Sequence, residues 1–127
     1  MATAAAAWAQ ARERLGMAVA AHVRAAACAL AQGAVDRAEP QIDAALHLFA
    51  GHEPDNFYRA EVWWVAAQVF DAARLRARAD AVLREGRDWV RGIAAEHVPA
   101  EFRESFLKRN PVNRALLEAA GRAGLRE

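Results

Sequence analysis

Residues 61–89 read EVWWVAAQVFDAARLRARADAVLREGRDW, two limbs of helical periodicity joined by a short charged link. Trp63, Ala66, Ala67 and Phe70 recur at steps of three and four on the first limb, and Ala79, Val82, Leu83 and Gly86 do so on the second. Each limb therefore carries one apolar face. Two helices with one apolar face each, and a link too short to part them, bury those faces against each other. The stretch predicts a helical hairpin, and the rest of the chain varies that theme.

Alanine is the commonest residue, and it is the best helix former because it loses no side-chain freedom. The sequence predicts an all-α chain of about six helices whose small interior residues let helices approach closely. The few large side chains, Trp8, Phe49, Trp63, Trp64, Phe70, Trp89, Phe102 and Phe106, must then supply the specific packing. At 127 residues and 55% hydrophobic the chain can bury a core. The 17 basic and 16 acidic side chains nearly cancel, which argues against a domain devoted to nucleic acid. The lone Cys28 excludes an internal disulfide or a cysteine zinc cluster, and it is read as a buried thiol among alanines. The N-terminal run is broken by Gln10, Arg12, Glu13 and Arg14, so neither a signal peptide nor a membrane helix is expected. A cytoplasmic protein is the expectation.

Periodicity places one long helix, or two with a joint near Gly16, over about residues 3–32 and another over 35–50 with room for a kink at Pro40, and Gly33 is the C-cap between them. The dense turn signal of residues 51–56 follows, and Pro54 opens a helix reaching about residue 73. After a turn near Arg74 the next helix runs to about residue 96, and Pro99 and Pro111 open two shorter ones, 100–108 and 112–123. The expected organisation is a single domain over residues 1–127: a starting helix or cap (1–19), a first hairpin (20–51), a second (54–97) and closing helices (99–127).

Setting Gly33 against Arg74, an offset of 41, brings Ala38 onto Ala79, Ile42 onto Leu83 and Ala45 onto Gly86. Such a two-helix repeat is the mark of a stacked hairpin array. Gly33, Val35, Ala38, Ile42, Ala45 and Leu46 resemble the second half of a tetratricopeptide repeat, as does the string Ala38, Glu39, Pro40. Trp63, Ala67 and Phe70, followed by Ala79 and Leu83, look like the two helices of that repeat. The likeness covers about residues 20–98; its period exceeds the family's roughly 34 residues, and His22 and alanines stand where large residues are usual. It implies antiparallel helical hairpins stacked as a fragment of an α-solenoid. In the tail, residues 102–114 (FRESFLKRNPVNR) resemble the closing segment of repeat regions in large bacterial signalling ATPase or cyclase regulators. No glycine-rich phosphate loop accompanies it, so no nucleotide chemistry is carried over.

No metal, cofactor or catalytic constellation is expected. His22, His47, His52 and His97 form no ligand pair at i, i+4 spacing. The arginines at 74, 76, 78, 84, 87 and 91 are interleaved with Asp71, Asp80, Glu85 and Asp88 and read as a solvated face. Trp63 and Trp64 point about 100° apart on a helix, so only one can centre a packed face. With Trp63 in the core, Trp64 turns toward a neighbouring surface: either it packs against the first hairpin or under the N-terminal helix, or it faces the partner-binding groove that the resemblance implies, made of Glu61, Trp64, Gln68 and Asp71 and joined by Arg24. The leading expectation is a non-catalytic module binding a protein or peptide there, with self-association through exposed repeat ends. The alternatives are a small-ligand sensor with a pocket lined by Trp63, Trp64, Phe70 and Trp89, and a structural oligomerisation segment.

Overall fold

The structure is a computed structural model that describes residues 4–49 and 59–124. Among these the chain is all-α, with six helices: α1 (Ala4–Ala31), α2 (Val35–Phe49), α3 (Arg59–Ala72), α4 (Arg76–His97), α5 (Ala100–Arg109) and α6 (Pro111–Arg122). The expected start of the third helix at Pro54, and His52, lie outside the described residues. Where the sequence reads as one domain, the chain divides into two compact units, Met1–Tyr58 and Arg59–Glu127.

In the first unit α1 and α2 form an antiparallel hairpin around Val19, Val23, Ala26, Ala38, Ile42, Ala45 and Phe49, all buried. His22 ties the helices together: its Nδ1 donates to Oε1 of Gln41 at 2.8 Å. Helix α1 runs unbroken through Gly16, and α2 continues through Pro40. At 1.5 Å per residue α1 is roughly 42 Å long and α2 roughly 22 Å, so the start of α1 overhangs its partner. Trp8, in that overhang, stays 64% exposed, while Met17, level with the end of α2, is 66% exposed because it lies about 200° round the helix from the buried Val19. Cys28 is exposed rather than buried, because it lies well round the helix from Val23 and Ala26. By length and composition α1 could cross a membrane, and 22% of its apolar window is buried.

The 41-residue register holds atom by atom at the helix reversals. Gly33 and Arg74 both take the left-handed conformation, with φ of 75° and 62°. The amide of Ala34 donates to the carbonyl of Ala29 at 2.8 Å, and that of Leu75 to Phe70 at the same distance. Gly33 donates to Leu30 and Arg74 to Asp71, both at 3.0 Å, while Ala38 and Ala79 each donate four residues back at 3.0 Å. The first two pairs of bonds satisfy the last carbonyls of α1 and α3 in the Schellman manner, and the third opens α2 and α4.

The second unit sets α6 against both α3 and α4, and α5 against α4 and α6. These helices approach closely at Gly86, where an added Cβ would lie 2.7 Å from Cδ2 of Leu116 and 3.0 Å from Cβ of Trp63. Buried residues cover much of α3, including Val62, Trp63, Ala66, Val69 and Phe70. Polar ends add to the apolar burial of Leu116 and Ala120 in holding the tail helices. Asn110 caps α6 by accepting from the amides of Val112 and Asn113, with Pro111 at the first helical position. Arg103 donates to the carbonyls of Ala94, Ala95 and Val98 at the end of α4. The fully buried Asn113 donates Nδ2 to the carbonyl of Phe106 at 3.0 Å.

Two stability predictions follow from these geometries. A left-handed non-glycine residue costs roughly 1–2 kcal/mol, partly offset by the greater freedom glycine has when unfolded. Arg74→Gly should therefore stabilise by about 0.5–1 kcal/mol, while Gly33→Ala destabilises by about 1 kcal/mol, both read as shifts in urea midpoint at constant slope. A lowered midpoint for Arg74→Gly would mean that its side chain, not its backbone, governs the turn. For Gly86→Ala, overpacking of about 1–3 kcal/mol against the buried Leu116 should outweigh the helix-propensity gain of about 1 kcal/mol. An unchanged or raised midpoint would contradict that packing.

Candidate binding cleft

Adjacent positions on α3 send the two tryptophans to different surroundings. Trp63 is 5% exposed and donates Nε1 to Oε2 of Glu85 on α4 at 3.0 Å. Its ring meets that of Trp89 at 5.9 Å and a tilt of 49°, and the Arg59 guanidinium stands 5.8 Å from both ring centres. Trp63 thus occupies the hairpin core, as its spacing requires.

Trp64 is half-buried and lines a cleft of about 210 Å³. Ala67, Gln68 and Asp71 continue its wall along α3; Arg76, Ala79, Asp80 and Leu83 supply the α4 wall, and Ala119, Arg122 and Ala123 close the third side at the end of α6. Trp64, Leu83 and the alanines make the apolar lining, while two carboxylates and two guanidinium groups provide the charge. Among the described residues none of Asp71, Arg76, Asp80 and Arg122 is ion-paired.

Of the residues expected in a groove, the cleft brings together Trp64, Gln68 and Asp71. Glu61, one turn before Trp64, is half-buried and outside the lining. Arg24 is an exposed residue of α1 in the first unit. The 41-residue register sets it against Val65, which is buried, whereas Trp64 and Gln68 correspond to Val23 and Ala27. Sequence reasoning missed Arg76, Asp80 and Arg122. For the first two a signal existed, since a short reversal after Ala72 must bring the first turn of α4 beside the last turn of α3. For Arg122 there was none, because periodicity does not say which helices α6 packs on.

The arginine run is mostly solvated, with two departures. Arg87 is 7% exposed and reaches Oδ1 of Asp88 at 3.0 Å, and Arg78 lies 4.1 Å over the ring of Phe70. The aromatic set of the small-ligand alternative is dispersed: Phe70 is 1% exposed in the core, Trp63 and Trp89 form their own pair, and Trp64 alone lines the cleft. Among the described residues no three His, Cys, Asp or Glu side chains stand close enough to hold a metal ion. Comparison with protein-family models, curated proteins and solved structures finds nothing that matches.

Proposed function

We propose that this chain is a non-catalytic, tetratricopeptide-like interaction module that holds a segment of a protein or peptide in the cleft carrying Trp64. The observation that supports it is the mixed lining of that cleft, with an indole wall, a small-residue floor and a rim of polar side chains. Half-exposed tryptophans in such settings are the residues that most often dominate binding to another chain. Size favours a polypeptide over a free ligand. The cleft's volume of about 210 Å³ is on the scale of a single large side chain. Small-molecule sites usually run to roughly 300–1,000 Å³. The likeness of residues 102–114 to closing segments of bacterial signalling regulators extends the proposal to a regulatory part of such a protein, working in the cytoplasm. Self-association is the second reading, favoured by the exposure of Trp8, Met17 and Phe102.

A displayed random-peptide library panned on the full chain tests the first reading. Selected peptides should bind wild type at least about tenfold more tightly than Trp64→Ala, with a smaller loss for Gln68→Ala and unchanged helical CD. Binders indifferent to both substitutions would remove the cleft from the function. For the second reading, sedimentation showing a monomer at high concentration is the contrary result.

A further inference from the structure

We infer that the segment held in the cleft presents one large apolar side chain flanked by one basic and one acidic side chain. The inference rests on the peptide-binding reading above and specifies the chemistry of its partner. The apolar part follows from the floor of Trp64, Ala67, Leu83 and Ala119 and from a volume that admits one large side chain. The charged part follows from the rim. Asp71 and Asp80 oppose Arg76 and Arg122 in equal number, and among the described residues none of these four side chains is hydrogen-bonded or ion-paired to another protein group. A guest of single sign meets as many like charges as opposite ones, whereas a guest of both signs can place each charge against its complement. The helix ends sharpen this arrangement. Asp71 stands in the last turn of α3, the negative end of that helix, and Arg76 is the first residue of α4, at its positive end. The basic group of the guest therefore goes toward Asp71 and the acidic group toward Arg76.

The same library experiment, carried to synthetic peptides, decides the point. Selected sequences should carry a base and an acid on either side of a leucine- or phenylalanine-sized residue. Replacing the peptide's base by glutamine should weaken binding to wild type about tenfold and leave binding to the Asp71→Asn/Asp80→Asn variant nearly unchanged. Replacing its acid should behave likewise against Arg76→Gln/Arg122→Gln. Trp64-dependent binders that are uncharged or of one sign, or charge substitutions that cost the same on every variant, overturn this inference and leave the proposed function standing. An absence of Trp64-dependent binders overturns the proposed function and the inference with it.

Discussion

The second unit depends on one place where three helices meet around a residue without a side chain. Gly86 lets Cβ of Trp63 and the methyls of Leu116 occupy the volume that any Cβ on α4 would claim. From that level the three helices run on together toward the α3–α4 reversal. Trp64, Ala67, Gln68 and Asp71 step along α3; Leu83, Ala79, Asp80 and Arg76 step back along α4; Ala119, Arg122 and Ala123 follow on α6. The cleft is the space beyond that level that Trp64, Leu83 and four alanines leave between the three helices. Close packing at Gly86 and an opening toward the reversal thus adjoin along the same helices.

The tail helices reach this arrangement through polar groups as much as through apolar burial. Helix α5 has no buried residue, so hydrophobic transfer contributes little to its position. Its anchors are the Arg103 guanidinium across the last carbonyls of α4 and the Asn113 amide on the carbonyl of Phe106. A fully buried asparagine would be costly without partners, and here it satisfies the end of one helix while sitting in the first turn of the next. The N-cap from Asn110 and the fixed φ of Pro111 start α6 at the residue where that exchange works.

The helices and their reversals were legible because period and punctuation are local properties. Gly33, Pro99 and Pro111 mark ends to within a residue or two, and the register that sets Gly33 against Arg74 coincides with a backbone conformation that both turns adopt. Positions that depend on a neighbour were not legible. On α1 alanines lie on every side, so the apolar periodicity that should have told Cys28 from Ala26 is nearly flat, and the cysteine was assigned the wrong side. The overhang that exposes Trp8 depends on the length of α2, which no pattern within α1 records. Arg87 looked like one more solvated arginine, since its burial comes from packing and not from its sequence neighbours.

The repeat register also separates what the hairpin needs from what the cleft adds. Of the α3 and α4 residues that line it, Ala67, Ala79 and Leu83 correspond to Ala26, Ala38 and Ile42, and these pairs serve interhelical packing in both copies. Trp64, Gln68, Asp71 and Arg76 correspond instead to Val23, Ala27, Leu30 and Val35, while Asp80 corresponds to Glu39, an acid in both copies. The first hairpin folds with aliphatic residues at the first four of these positions, so the pairing of two helices by itself asks for neither the indole nor those polar groups. The second hairpin differs in carrying α6 across both of its helices, and the indole, amide and charges that face the cleft beside α6 are the groups the proposed guest would meet.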